Sequence, residues 1–301
     1  MDNVYNQLIN ILQQQQLLTQ ISMKEHTSMR VGGEAAMLVL PYSVAEIEQV
    51  LHVLLRAHVP HTIMGNGTNL IVSDSGYSGV ILKLADNFAA IRVCGNQITA
   101  QAGASLAAVS NAAWRAGLTG FEFASGIPGT MGGAVAMNAG AYDGEMKDVV
   151  LKTTAMDENG KIIHLNGEEH EFSYRKSFIQ KQKLIVLETT IQLEAGEADR
   201  IKEKMQSLNA RRREKQPLNL PSAGSVFKRP PDNFAGKLIE QAGLRGFRIG
   251  GAQVSDKHCG FIVNIGDATA ADVIALIKWV KDKVYENSGV MLEEEVKILG
   301  G

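Results

Sequence analysis

Between Phe121 and Tyr142 the chain reads FEFASGIPGTMGGAVAMNAGAY, with glycines at 126, 129, 132, 133 and 140 around Pro128 and a single charged residue, Glu122. A stretch so poor in side chains cannot fill a core of its own. Its use is conformational: glycine is spent where backbone must take positive φ or lie close against another group. Backbone amides that converge on an anion are a frequent form of that need. A second loop, Gly65-Asn66-Gly67-Thr68-Asn69, repeats the theme one supersecondary unit earlier. Two such loops predict a large ligand that carries phosphates.

The remainder of the sequence narrows the class. At 301 residues, 45% hydrophobic and 21% charged, the chain is long enough for two or three cores. A formal charge of -2 argues against a nucleic-acid partner. Arg211-Arg212-Arg213 is flanked by acidic residues, and reads as a solvated helix face or a local anion clamp. No apolar run approaches the ~18 residues that mark a membrane span, and the Asn- and Gln-rich start lacks a signal-peptide pattern. We therefore expect a cytoplasmic protein without a membrane partner, a monomer or weak homo-oligomer. Cys94 and Cys259 are too few for a metal cluster or a disulfide framework, so no metal site is expected, while one bridge stays open.

Periodicity gives the organisation. Residues 36–40 read as a strand, Ser43-Val44-Ala45-Glu46 as a capping box opening a helix to about His58, and His61–Met64 as a second strand. This order places the first glycine loop at a strand's carboxyl end, where ligands of such sheets gather. A helix over about 105–115 stops at Gly117 and precedes the second loop. From Val149 the texture turns β-branched: strands over 149–156 and 161–165 joined by a turn at 157–160, then 184–193. A charged helix over about 197–214 leads to Pro217, followed by helices over 234–242 and 269–287, a strand over 260–265, and a closing strand over 290–299. The apolar stripe Val273, Ile277, Val280 and Val284 marks the long helix as core packing.

The chemistry of the loops separates the readings. Gly65-Asn66-Gly67-Thr68-Asn69-Leu70 begins like a dinucleotide fingerprint, and Asp86 lies about 20 residues on, where the ribose-binding acid would fall. Leu70 replaces the third glycine, however, and residues 71–76 read as strand and turn, not as the required helix. A non-Rossmann phosphate loop is the better reading, with a plain tight turn held by Asx bonds of Asn66 and Asn69 as the alternative. The second loop, Gly126-Ile127-Pro128-Gly129-Thr130-Met131-Gly132-Gly133-Ala134, lacks the Lys-Ser/Thr ending of a P-loop and any acid pair for magnesium. A flat ring pressed against backbone suits Gly132, Gly133 and Ala134.

Three polar clusters follow. Tyr174-Arg175, with aromatic residues on both sides, suggests a partly buried arginine, or else an exposed strand-edge one. Ser225 lies in a small-residue turn that could present a hydroxyl, or could serve only as a backbone cap. In Glu293-Glu294-Glu295, strand parity sets Glu293 and Glu295 opposite Val290, Leu292, Val296 and Ile298, so either could face a cleft rather than bulk solvent.

The ordered set, from His26-Thr27 and Arg30-Val31-Gly32-Gly33 through GNGTNL, GIPGTMGGA, Ser173-Tyr174-Arg175, AGSVFKRP and Leu292-Glu293-Glu294-Glu295-Val296, resembles the UDP-N-acetylenolpyruvoylglucosamine reductase (MurB) family over nearly the whole chain. The short stretch between Arg175 and Ser225 is similar to that family's shorter subgroup, which lacks an inserted substrate-contacting loop. The resemblance implies an α+β chain: a two-part FAD-binding module of the vanillyl-alcohol-oxidase (PCMH) type over 1–85 and 86–205, then a smaller α/β substrate-binding domain over 206–301. It implies non-covalent FAD held by Gly65, Asn66, Gly67, Thr68, Asn69, Leu70, Gly126, Ile127, Pro128, Gly129, Thr130, Gly132, Gly133 and Ala134. NADPH would reduce the flavin, and the enolpyruvyl ether of UDP-N-acetylglucosamine would then be reduced to the lactyl ether, a step of peptidoglycan precursor synthesis that serves cell shape and division. Arg175, Ser225 and Glu295 match the family's catalytic arginine, proton donor and glutamate. Tyr174 and Lys215 would bind substrate, as would Arg229 and His258, for which ordinary surface or capping roles are the alternative. A flavin oxidase acting on an alcohol would leave Ser225 and Glu295 unexplained, and a catalytically silent flavin or nucleotide-binding module would not require the three together.

Overall fold

Alternating apolar residues at helical spacing in Val44–Arg56 bury Ile47, Val50, Leu51 and Leu54 and leave the opposite face wet. A computed structural model of the chain describes residues 1–300. Ser43 caps this helix by accepting the Glu46 amide at 3.2 Å. The reciprocal half of the expected capping box is not made: Glu46 Oε2 instead accepts from the Tyr42 amide at 2.6 Å and from Gln16 Nε2 at 2.8 Å. The carboxylate thereby satisfies two donors, a backbone N–H one residue upstream of the motif's usual target and the buried side-chain amide of Gln16.

The chain divides into two compact units. The first holds Met1–Thr19, Met37–Asn66 and Gly79–Arg211, and the second Gln20–Ala36, Gly67–Ser78 and Arg212–Gly301. The sheet ordered Leu17–Ser22, Glu34–Val39, Tyr77–Lys83, His61–Met64 ends on a parallel pair, so the first glycine loop leaves a carboxyl strand end as expected.

The first unit also contains an antiparallel five-stranded sheet, ordered Ile162–Asn166, Val150–Met156, Ile185–Gln192, Gln97–Gln101, Ile91–Cys94. Its hairpin turns at 157–160, where Asp157 Oδ1 accepts the amides of Asn159 and Lys161, both at 2.9 Å. The helix Leu106–Arg115 is capped by Ser105 and stops before Gly117 at φ +65°, as its sequence predicts. These elements enclose one apolar core, in which Phe88, Ile98, Leu106, Phe121, Val135 and Ile191 lie buried together.

The second unit has its own core. An antiparallel sheet ordered Ser222–Ser225, Phe261–Asn264, Ala252–Val254, Arg248–Ile249 lies with the helix Ala270–Ser288, whose Val273, Ile277, Val280 and Val284 are all buried. Met29, Val31 and Ile71 join that core from the amino-terminal part of the chain. Asp74 caps the helix by accepting the amides of Ala270 at 2.9 Å and Ala271 at 2.8 Å.

The closing segment differs from expectation. Only Lys297–Leu299 is strand, paired in parallel with Leu70–Val72. Upstream, the Lys228 amide donates to Glu293 O and the Glu295 amide to Val226 O, each at 2.9 or 2.8 Å. The segment changes hydrogen-bonding partner partway along, from residues 226–228 to Leu70–Val72, and one continuous ladder over 290–299 cannot serve both.

Candidate functional site

Within the first unit, Gly65 of the first glycine loop packs against Thr130 of the second. A Cβ on Gly65 would lie 2.3 Å from Thr130 Oγ1, so no side chain fits where the loops cross. Gly132 is as tight: its amide donates to Ala102 O at 2.8 Å, and a Cβ there would sit 2.9 Å from Ala102 Cβ. Gly133 is different, because it is exposed, its φ is ordinary, and a Cβ would come no closer than 3.5 Å to any protein atom. A helix interior disfavours glycine by ~1 kcal/mol relative to alanine. Neither backbone angle nor packing within the protein explains its choice, whereas a flat group lying on that surface would.

The first loop supplies the anion-binding character. Gly67 is buried at φ +63°, with a would-be Cβ 2.4 Å from His26 O. The amides of Asn66, Gly67 and Thr68 find no acceptor among the described residues. Of the three only Gly67 is buried, Asn66 being exposed and Thr68 half-buried; a buried backbone N–H is rarely left so, and a phosphate oxygen would satisfy it. Each loop taken by itself fits a part of FAD: the Gly67 amide a phosphate oxygen, and the small residues at 132–134 a flat ring system. The Asn69 side chain, expected to point at the same ligand, donates from Nδ2 to Glu295 O at 3.0 Å, and the Asn69 backbone carbonyl accepts from the Lys297 amide at 3.0 Å.

Arg175 occupies the tip of a tight turn rather than a strand edge. Ser173 and Lys176 exchange two hydrogen bonds of 3.1 Å, leaving Tyr174 and Arg175 between them. Arg175 is half-buried at φ +56°, with its guanidinium 5.3 Å from the centre of the Tyr174 ring. Two residues on, Ser177 Oγ donates to Ala136 O at 2.7 Å.

Beneath this turn lies a group that the motifs do not announce. His170 is wholly buried, stacks on Phe172 with 4.8 Å between centroids, donates from Nδ1 to Gly167 O and accepts at Nε2 from Thr153 Oγ1, both at 2.9 Å. Burial pushes its pKa down, against the opposing pull of the Gly167 carbonyl and the Glu169 charge. The unfolded chain therefore binds a proton that the folded one refuses. Stability from the buried neutral ring is complete above the ordinary value near 6.5 and is lost as pH falls through the lowered folded value. Melting temperature should fall on acidification from that point, with a shallower slope in His170→Gln. Parallel slopes would assign the acid sensitivity elsewhere.

The second unit brings Ser225 and Glu295 onto neighbouring backbone. Ser225 ends a strand whose register shifts over Ser222–Ser225, with Gly224 at φ +76°, and its Oγ donates to Phe227 O at 3.3 Å. Val226 links the two, since its carbonyl accepts the Glu295 amide at 2.8 Å. Glu293 ion-pairs with Lys228, and Glu294 with Lys281 at 2.7 Å, so the three acids have separate surroundings.

His258 lies close to the serine. Its Nδ1 accepts the Gly260 amide at 3.1 Å, and a Cβ on Gly260 would be 3.0 Å from its Cε1 and 3.4 Å from Ser225 Oγ. Burial lowers the His258 pKa, the Arg245 cation adds to that, and a backbone hydrogen bond opposes it. The ring is thus neutral at pH 7, with its proton on Nε2. Arg229 is exposed, its guanidinium 4.0 Å from the Phe234 ring centre and its Nε donating to Asn233 O at 3.3 Å. Lys215 is exposed at the last residue of the helix Ala198–Lys215. Among the described residues, no group of three or more His, Cys, Asp or Glu could hold a metal ion.

Sequence reasoning did not find Asn138, buried and left-handed at φ +44° between the second glycine loop and the Arg175 turn. The available signal was an asparagine set among small residues, where the left-handed conformation favours that side chain.

Comparison with known proteins bears on the whole chain. Residues 35–166 match a family profile described as an FAD binding domain, and residues 216–299 one described as the UDP-N-acetylenolpyruvoylglucosamine reductase C-terminal domain. The UDP-N-acetylenolpyruvoylglucosamine reductase of Clostridioides difficile is 51% identical over 298 residues, 99% of this chain and 98% of that one. That of Caldanaerobacter subterraneus is 52% identical over 295 residues, 98% and 97% of the two. The crystal structure of the MurB from Thermus caldophilus superposes with a TM-score of 0.80 at 34% identity, covering 94% of this chain and 98% of that one. A grass pollen allergen with glucose dehydrogenase activity, Phl p 4, is similar in fold alone, with a TM-score of 0.50 at 15% identity over 65% of this chain and 44% of its own. With the mixed helix and strand content, these matches bear out the expected α+β class with an FAD-binding module.

Proposed function

The chain belongs to the UDP-N-acetylenolpyruvoylglucosamine reductase family, and from that premise we infer that it reduces the enolpyruvyl ether of UDP-N-acetylglucosamine to UDP-N-acetylmuramate, using non-covalent FAD and NADPH, in peptidoglycan precursor synthesis. The observation that carries the reading is the placing of Ser225 and Glu295 on neighbouring backbone of one unit, joined through Val226. On this reading residues 1–85 and 86–205 are the two FAD-binding halves and 206–301 the substrate-binding domain, with Gln20–Ala36 and Gly67–Ser78 contributed to the second compact unit. A cytoplasmic location goes with it, and no helix of the described residues is long and apolar enough to cross a membrane.

FAD, when bound, supplies the two-electron chemistry, accepting reducing equivalents from NADPH and delivering them to the vinyl carbon. The loops at 65–70 and 126–134 hold it, the first through backbone amides and the second by removing side chains from the ring's path. Reduction of the vinyl carbon throws negative charge onto the neighbouring carboxylate-bearing carbon. The Arg175 guanidinium stabilises that charge, because it is a planar cation rich in donors and is carried on a tight turn. Ser225 Oγ then gives its proton to the carboxylate-bearing carbon, which completes the lactyl ether. Its bond to the Phe227 carbonyl is long, at 3.3 Å, and yields readily to a substrate carbon. Glu295 acts beside Ser225, and Tyr174, Lys215, Arg229 and His258 bind the nucleotide sugar.

Purified protein should be yellow, be bleached by NADPH, and be re-oxidised anaerobically by enolpyruvyl-UDP-N-acetylglucosamine. Colourless protein without affinity for FAD would end this reading.

A further inference from the structure

Asn138 makes more hydrogen bonds than its place in a glycine-rich stretch requires. It is 1% exposed, its Nδ2 donates to Glu145 Oε2 at 2.8 Å and to Ser173 O at 3.1 Å, and its Oδ1 accepts from the Lys147 amide at 2.9 Å. Both acceptors on Nδ2 are oxygen, and one is a carboxylate, which settles the orientation of the amide.

Its two ends lie on the two parts of the first unit that the chemistry needs to keep in register. Asn138 follows the helix Met131–Ala136, which carries Gly132 and Gly133 and opens from Thr130 where the glycine loops cross. Ser173 is the first residue of the turn that presents Tyr174 and Arg175. A second side-chain bond between these segments, Ser177 Oγ to Ala136 O, attaches beyond the turn, whereas the Asn138 bond reaches the turn itself at Ser173.

We propose that Asn138 is a positioning residue for Arg175, tying the arginine turn to the end of the flavin-loop helix. The inference rests on the reading of Arg175 given above. A guanidinium stabilises developing charge only where it is already in place, and a misplacement of about 1 Å costs about 10²-fold in rate. The side chain must be an amide: an aspartate of the same shape would turn oxygen toward both the Glu145 carboxylate and the Ser173 carbonyl.

Asn138→Asp tests this. Affinity of the apoprotein for FAD and the rate of flavin bleaching by NADPH should each stay within about twofold of wild type, while re-oxidation by enolpyruvyl-UDP-N-acetylglucosamine slows by about 10²-fold. In an Arg175→Ala background the same change should add little, because the two act as a unit. Should Asn138→Asp fail to fold, Asn138→Gly accepts φ +44° freely and carries the same expectations. Parallel losses of FAD affinity and of both half-reactions would overturn the proposal and leave Asn138 a structural residue of the loop. Unchanged re-oxidation beside a slow Arg175→Ala would overturn the proposal alone, and wild-type re-oxidation in Arg175→Ala would overturn it together with the reading of Arg175.

Discussion

Ser225→Ala is expected to leave bleaching of the flavin by NADPH at its wild-type rate and to slow re-oxidation by the enolpyruvyl substrate by more than the ~10²–10⁴ usual for loss of an acid catalyst. The asymmetry follows from what the hydroxyl does and does not hold. Its hydrogen bond to Phe227 O, at 3.3 Å, is long, and losing it should cost less than about 1 kcal/mol of stability. The backbone on either side is secured independently, since the Val226 amide donates to Gly260 O at 2.9 Å and its carbonyl accepts from Glu295. What alanine removes is the proton that the carbanion-like intermediate takes up. Rapid-mixing measurements of the separate half-reactions decide the matter: equal loss in both would make Ser225 a folding or flavin-placing residue.

Gly67→Ala should cost the protein its cofactor. Two penalties coincide there. A left-handed residue with a Cβ costs roughly 1–2 kcal/mol, and this Cβ would press to 2.4 Å of the His26 carbonyl, which is backbone and cannot swing aside. Relief requires movement of the loop whose Gly67 amide would face a phosphate on the reading proposed above. Affinity for FAD should fall by about a hundredfold or more, roughly 2.8 kcal/mol, as read by quenching of FAD fluorescence on titration into apoprotein. Gly95→Ala is the control: at φ +58° the backbone is similar, but nothing lies within 4 Å. That variant should lose about 1 kcal/mol of stability and no FAD affinity. Equal FAD binding by Gly67→Ala and wild type would remove the first loop from the phosphate site.

What the sequence disclosed, and what it withheld, divides along physical lines. Helix stops at Gly117 and Gly243, the turn at 157–160 and the stripe from Val273 to Val284 depend on local chemistry, and each is where periodicity and turn residues put it. The glycine loops stand out in the sequence because glycine is costly without a reason. Their crossing at Gly65 and Thr130 does not, since contact between residues so far apart leaves no trace in either local pattern. The same holds for Asn138 and Ser173. Arg175 was placed between a buried site and a strand edge, and neither describes a turn closed by paired backbone bonds. The closing segment misled for a related reason: its alternation is genuine, and Leu292 and Val296 are buried, but alternation does not tell which neighbour a segment pairs with.

The second unit draws its core from three separate stretches, with Met29, Val31 and Ile71 packed among residues beyond Ala223. During synthesis those three side chains leave the ribosome long before their partners exist. The core of that unit cannot close until the helix Ala270–Ser288 has emerged, and every contact it makes with the early segments spans most of the chain. Folding of this unit is therefore late and slow by topology alone. A fragment beginning at Arg212 would lack both those core residues and the Asp74 cap of its longest helix, so the carboxyl-terminal third is a unit of architecture without being an independent unit of folding.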